Sequence, residues 1–157
     1  MRKRLLSTES MHPATPEENW LNLEDVAEVE ITSEDPDHPI EHALTPGHPE
    51  GWKAGAPGEQ TIRILFDEPR VIRRIWIHFK ETAVERTHQF VLRWSADNGG
   101  KFTDIVRQQW NFSPDGMQEE SENIYLDIAN VTTLEVIINP DISNAQAFAT
   151  LAQLRVG

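Results

Sequence analysis

The stretch FVLRWSADNGGKFTDIV, residues 90–106, decides the fold class. Phe90, Leu92 and Trp94 occupy alternate positions, which is the period of a β-strand whose two faces meet different surroundings. Residues 97–100, Asp-Asn-Gly-Gly, then accept positive φ at little cost, and a second apolar run follows. The stretch therefore predicts a β-hairpin.

Alternation of the same kind recurs along the rest of the chain. Pro39 is followed by one short helical turn at residues 40–44, and no long amphipathic helix or internal repeat is present. Many short strands separated by turn residues are typical of an all-β sandwich or barrel, here of about eight antiparallel strands. Besides the two strands of the hairpin, the predicted strands are 27–31, 62–66, 75–79, 124–128, 134–138 and 151–156.

Composition limits the classes of function. The 157 residues suit one domain, carry a net charge of −12 and include no cysteine, which excludes disulfides and thiolate chemistry. Thirteen acidic residues and one basic residue lie between Glu9 and Glu59, whereas a nucleic-acid partner requires clustered Lys and Arg. The basic start lacks the apolar segment of a secretion signal, and no run is long enough to span a membrane. We expect a cytoplasmic, monomeric protein.

The domain organisation follows from periodicity and loop length. Residues 1–19 show no periodicity and form a flexible lead-in, and residues 20–157 form the β-sandwich domain. In an up-and-down traverse, successive connections lie at opposite ends of a sandwich. This count places the short turns at one end and the long loops, where binding usually occurs, at the other. The short turns are 67–70, 96–101 and 129–132, and the long loops are 45–58, 80–88, 109–121 and 140–149.

Three motifs together resemble the discoidin-like domain, the coagulation factor 5/8 type C family. Gln60-Thr-Ile-Arg-Ile-Leu-Phe resembles its amphipathic strand that begins with glutamine, and residues 90–106 resemble its Ser-x-Asp-Gly-Gly hairpin. The ending, residues 149–157, resembles its C-terminal strand. The resemblance covers residues 26 to 157. It implies a galactose-binding-like jelly roll that binds carbohydrate, lipid surface, protein or damaged DNA through loops at one end.

Two features of this family are missing: a structural calcium site, and the disulfide that links the ends of the domain in its extracellular animal members. Many bacterial sugar-binding members hold a structural calcium with an Asp-Gly loop after the first helical turn and a C-terminal Glu. The matching positions here are residues 43–47, Ala-Leu-Thr-Pro-Gly, and Gln153, which lack the charged oxygens that Ca²⁺ prefers. Prolines also separate His38, His42 and His48, so no common helical face gathers them. We expect neither metal nor cofactor.

Aromatic and planar polar residues in the long loops are the candidate ligand contacts. A tryptophan can stack on a sugar face, and planar donors suit sugar hydroxyls, although either can instead close the end of the sandwich. Trp76 and Trp94 are mid-strand and are expected to be packing residues. The candidate set comprises Trp52 and Trp110 as stacking platforms, with His88, Arg107, Gln109 and Asn111 as polar contacts.

No motif of a hydrolase, a phosphate-binding loop or a zinc protease occurs, so the sequence favours a protein that is not an enzyme. The first hypothesis is a bacterial-type, carbohydrate-binding module that uses the long-loop end. The alternative is a cytoplasmic protein-interaction or assembly module. Binding to DNA nicks is a third hypothesis, which the acidic charge disfavours.

Overall fold

The computed structural model describes residues 20–81 and 85–157, so the predicted lead-in, residues 1–19, lies outside the described residues. Within these described ranges, two one-turn helices, α1 (Leu23–Val26) and α2 (Glu41–Leu44), accompany eight strands, and neither helix is long and apolar enough to cross a membrane. The prediction of a mainly antiparallel all-β domain is confirmed. The strands are β1 (Ala27–Ile31), β2 (Trp52–Pro57), β3 (Gln60–Lys80), β4 (Arg86–Ser95), β5 (Thr103–Phe112), β6 (Glu119–Asn139), β7 (Phe148–Leu151) and β8 (Gln153–Val156).

Strand pairing divides the sandwich into two layers. The first layer has the order β1-β3-β6-β4-β5, and β8 pairs with the second half of β3 in the other layer. β2 and β7 form a separate two-stranded sheet. Among the strands of the described residues, β3 and β6 alone run through both layers, because they remain paired from Gln60↔Ile138 to Lys80↔Glu119.

The β3–β6 ribbon is doubled over on itself. A strand of 21 residues would extend roughly 65 Å if straight. Phe79 near the end of β3 nevertheless lies 4.9 Å from Phe90, ring centre to ring centre, and Phe90 pairs with Ile138 beside Gln60. The fold in the ribbon coincides with register shifts between Leu65 and Arg74. The two ends of the ribbon therefore meet at the same end of the sandwich.

This geometry corrects the predicted turns but keeps their location. Segments 67–70 and 129–132 are bends within β3 and β6 rather than hairpin turns, because pairing continues through them at Arg70↔Val131. The 96–101 turn lies beside them, since the Asn98 N–H donates to Thr132 Oγ1 at 2.9 Å. All three short connections are thus at one end, as predicted. The prediction of a loop over 45–58 is wrong in its second half, which is β2.

The core is built from the inward positions of the alternating runs. Ile62, Ile64, Leu134 and Val136 are at most 1% exposed and fill the first layer's inner face. In the second layer Ile75, Ile77 and Phe79 continue the pattern. Side-chain alternation thus packs the two layers face to face, and transfer of this apolar surface from water is the main stabilising term.

A charged cluster crosses three strands on the outer face of the first layer. Glu135 is only 1% exposed, and its carboxylate accepts hydrogen bonds from Arg63 Nε at 2.7 Å and Arg93 Nε at 2.6 Å. Both arginines lie directly opposite Glu135 in the pairing register. The ring of Phe102 covers the Arg93 guanidinium at 4.4 Å. This cluster holds β3, β6 and β4 in register.

We expect Glu135→Gln to lower the free energy of unfolding by about 3 kcal/mol, because two guanidinium groups lose a buried counter-charge. Urea denaturation measures the change. Glu30→Gln is the matched control, since Glu30 also contacts Arg63, at 3.4 Å, but its side chain is 62% exposed. That variant should lose no more than about 0.5 kcal/mol. Equal losses in the two variants would contradict the assigned role of Glu135.

Candidate functional site

Three of the long connections converge in one polar cleft. The Thr87 N–H donates to Asp141 Oδ1 at 3.3 Å, and the Ile142 N–H donates to the Thr87 carbonyl at 2.9 Å. Thr87 Oγ1 donates to Asn111 Oδ1 at 3.0 Å. Cross-links of this kind hold the loops as one rigid surface. The cavity between them has a volume of about 510 Å³ and is lined by Glu85, Arg86, Thr87, Asn111, Asp141 and Ser143.

Arg86 is the cation of this cleft. Its side chain is 8% exposed and pairs with Glu81 at 3.4 Å, and Nη1 donates to the Phe148 carbonyl at 2.8 Å. Among the described residues, Nε of Arg86 has no hydrogen-bond partner. A guanidinium held in this way places a fixed positive charge at the wall of the cleft, which suits the oxygens of a polar ligand.

Asp141 is the acceptor of the cleft. Burial opposes ionisation of this carboxyl, but hydrogen bonds from Ser143 and Thr87 and the charge of Arg86 outweigh it and lower its pKa. Ser143 donates from both its N–H, at 3.1 Å, and its hydroxyl, at 2.9 Å, to Asp141 Oδ1. The carboxylate is therefore ionised at neutral pH and oriented by its own turn.

An exposed aromatic residue lies next to the cleft. Phe148 is 46% exposed although its neighbours in β7, Ala149 and Leu151, are buried. Its ring lines a second depression of about 360 Å³ that also includes Lys53 and Thr150. Because Arg86 binds the Phe148 carbonyl, the two depressions adjoin. A large exposed ring beside polar groups is a stacking surface for an amphipathic ligand.

Trp52 is not the predicted stacking platform. Its side chain is 0% exposed in the core, and its Nε1–H donates to the Ser33 carbonyl at 3.1 Å. The prediction is wrong because residues 52–57 form β2, whose pairing with β7 turns Trp52 inward. The tryptophan contributes packing rather than recognition.

His88 is buried, and the partly buried Trp110 packs against the core beside it. His88 is 3% exposed and its ring is stacked on Trp110 at 6.3 Å with an interplanar angle of 11°. Phe79, Phe90 and Phe112 surround the pair. The predicted ligand contact of His88 is therefore wrong, and Trp110 is occupied by packing rather than open for stacking. Both residues form the support beneath the cleft.

The other three predicted residues lie on the exposed positions of β5, which continues to Phe112 where the sequence predicted a loop from 109. Asn111 lines the cleft. Gln109 is exposed two residues away and lines no part of it. Arg107 is exposed and pairs with Asp104 at 3.5 Å. The structure thus retains one of the six predicted contacts in the cleft.

Five residues of the cleft, Glu85 among them, and the adjacent Phe148 were not among the predicted contacts. Arg86, Thr87 and Ser143 carry no motif, and Asp141 reads as an ordinary turn former in the sequence. The exposure of Phe148 could have been predicted, because the small and apolar residues Ala149 and Leu151 mark the inward-facing positions of the strand and Phe148, one residue before Ala149, falls at an outward-facing position of the alternation. A large apolar residue in the outward phase indicates an exposed surface with a function.

The residues at the position where the sequence resemblance implied a calcium do not fit a cation. Gln153 Nε2 donates to the His42 and Thr45 carbonyls at 3.0 and 3.2 Å, and Arg155 Nη1 donates to the Leu44 carbonyl at 2.6 Å. Because both partners of Nε2 are carbonyls, the amide must present its NH₂ group. The carbonyls that would ligate a metal are satisfied by N–H donors, and no acidic cluster is present among the described residues.

We expect Gln153→Met to lower the free energy of unfolding by about 2 kcal/mol, because two carbonyls lose their donor. Neither EGTA nor added Ca²⁺ should shift the urea midpoint of the wild type or of the variant. Gln146→Met, at an exposed position, is the control and should stay within about 0.5 kcal/mol. A wild-type midpoint that falls in EGTA would contradict this account.

His88 should make the domain sensitive to acid. Burial, aided by the charge of Arg86, lowers its pKa from 6.5 to about 4. The unfolded chain therefore takes up a proton at a higher pH than the folded one, and stability falls as pH decreases through this window. The loss amounts to roughly 3 kcal/mol.

In His88→Phe that part of the pH dependence should disappear, with little change in stability at neutral pH. The comparison requires urea denaturation of both proteins at several pH values between 4 and 6.5. Identical pH slopes in the two proteins would refute the assignment to His88.

Comparison with known proteins gives matches in structure only: no protein-family model and no curated protein matches the chain. The family 32 carbohydrate-binding module of Clostridium perfringens NanJ, solved with galactose, gives a TM-score of 0.62 at 15% identity, over 87% of this chain and 96% of that chain. The module CpGH89CBM32-5 from the same organism, solved with GalNAc-β-1,3-galactose, gives 0.61 at 17% identity, over 88% and 99%.

A fucosidase from Ruminococcus gnavus, solved as a D221A mutant with fucose, gives a TM-score of 0.66 at 10% identity, over 87% of this chain but 26% of that chain. The pairing, the bent β3–β6 ribbon and these similarities agree with one another. The chain has the discoidin-like, galactose-binding-like jelly-roll fold.

Proposed function

We propose that this domain is a non-catalytic carbohydrate-binding module and that its site is the cleft between the long connections. The observation that carries the proposal is the joint presence of an oriented carboxylate, Asp141, and a buried guanidinium, Arg86, in one cavity beside the exposed ring of Phe148. Sugars need this combination, because adjacent hydroxyls both donate and accept while the ring carbons form an apolar face.

The size and rigidity of the cleft support the same ligand class. A cavity of about 510 Å³ falls within the range of small-molecule sites, about 300–1,000 Å³. Its groups are already bonded to one another across three connections, so little conformational freedom is lost when a ligand binds. Asn111 and Thr87, which share a hydrogen bond, can exchange it for bonds to a sugar hydroxyl.

The structural neighbours support the proposal at the level of fold. Two of them were solved with galactose or with GalNAc-β-1,3-galactose, so neutral sugars are the first ligands to test. The fucosidase shares only the region that this chain spans, a quarter of its length. We infer that this chain likewise binds without catalysis, since two carboxylates of the cleft are not enough to specify a reaction.

A glycan array followed by calorimetric titration of the best ligand tests the proposal. Asn111→Ala should weaken binding by about five- to tenfold, the value of one lost hydrogen bond. Gln109→Ala is the matched control, because Gln109 is exposed on the same face of β5 outside the cleft. It should leave the affinity unchanged.

A second pair of variants tests the aromatic surface. Phe148→Ala should weaken binding by about tenfold, whereas Tyr125→Ala, at a 67% exposed aromatic in the other layer, should have no effect. A domain that binds no glycan on the array, or one whose affinity is indifferent to both Asn111→Ala and Phe148→Ala, is not the module proposed. A stoichiometric protein partner recovered in its place would favour the assembly hypothesis.

A further inference from the structure

A further cavity, distinct from both the cleft and the depression beside Phe148, lies on the outer face of the second layer, where β8 pairs with β3. It is an open depression with a volume of about 360 Å³ and is lined by the 46–49 segment, Trp76, Gln153 and Arg155. Although the chain contains 26 acidic residues, none of the described residues that line this cavity is acidic. The cavity therefore has a positive character in an otherwise acidic protein.

Arg155 supplies this charge and is incompletely satisfied. The residue is 4% exposed, and one nitrogen, Nη1, donates to the Leu44 carbonyl. Nε and Nη2 are buried and have no hydrogen-bond partner, and Arg155 makes no ion pair with any described carboxylate. Desolvation lowers the pKa of the guanidinium. A buried cation with two adjacent free donors matches the two oxygens of a carboxylate.

Trp76 provides a flat apolar wall beside this charge. It lies directly opposite Arg155 in the β3–β8 register and is partly exposed, whereas Ile75 and Ile77 on either side are buried. The expectation that Trp76 is a packing residue is thus wrong, because its side chain points to the outer face. His78 stacks on it at 5.5 Å with an angle of 12°, which orients the indole.

We propose that this cavity is a second ligand site, specific for a carboxylate-bearing sugar ring, in which Trp76 contacts the ring and Arg155 binds the carboxylate. A ring acid is favoured over a small inorganic anion because the cavity holds a monosaccharide and one wall is aromatic. The site shares no lining residue with the cleft, so it does not depend on the function proposed there.

Methyl galacturonide and methyl galactoside are the matched probes, because they differ only in a carboxylate against a hydroxymethyl group. Titration of isotopically labelled protein, followed by NMR at the Trp76 indole N–H, reports on this site alone; the loss of that signal in Trp76→Phe assigns it. The acid should bind at least about tenfold more tightly than the neutral sugar, since the hydrogen bonds are charge-assisted.

Arg155→Gln should abolish the preference for the acid. Arg155→Lys keeps the positive charge but lacks the two parallel N–H donors of the guanidinium, so it should retain only part of the preference. Trp76→Ala removes the indole signal, so its affinity is measured by calorimetric titration with the acid, and it should be weakened. The matched control Tyr125→Ala and the cleft variant Asn111→Ala, titrated in the same way, should leave the affinity unchanged. Equal affinity for the two probes at Trp76, or the same loss in Tyr125→Ala as in Trp76→Ala, overturns the proposal. If neutral sugars do not bind in the cleft, the proposed function fails, but the test of this second site is unaffected because it is measured at Trp76 and Arg155.

Discussion

The pairing of β3 with β6 is the constraint on which the rest of the structure depends. The two strands stay in antiparallel register over most of 21 residues each and pass together from one layer of the sandwich to the other. Because both chains bend at the same place, the two layers face each other and their inward side chains form one core. β1, β4 and β8 then add to edges that this ribbon already presents. The Glu135 cluster stabilises the register at the centre of the first layer, where a slip of one residue would turn every inward side chain outward.

The doubled ribbon also determines where a ligand can bind. Both of its ends reach the same end of the sandwich, so the strand ends at Lys80, Glu119 and Asn139 are neighbours there. Hydrogen bonds between Thr87, Asp141 and Asn111 make the connections at this end a single surface. The aromatic cluster around His88 fills the space beneath them, which keeps the surface from collapsing into the sandwich. Packing below and hydrogen bonding above thus contribute different parts of one site.

On the other layer, N–H donors from β8 hold the segment that follows α2. Gln153 and Arg155 extend from β8 to three carbonyls at the end of α2, and this fixes the segment that lines the cavity beside Trp76. The Arg155 guanidinium is buried in this contact, and its Nε and Nη2 have no hydrogen-bond partner. This unsatisfied positive charge is the reason why we propose an anionic ligand for the cavity.

The sequence by itself determined the fold class and the location of its loops. Alternation at Ile62, Phe90 and Leu134 specifies strands with one buried face, and the Asp97-Asn-Gly-Gly turn permits chain reversal, because both are local properties of the backbone. Only the tertiary structure decided which side chains form the sites. Trp52 and His88 are indistinguishable in sequence from exposed loop residues, yet pairing with β7 and packing under β5 bury them. Arg86, Asp141 and Asn111 are far apart along the chain and come together only because the ribbon folds. Burial and convergence depend on contacts between distant segments, and no periodicity within one segment records them.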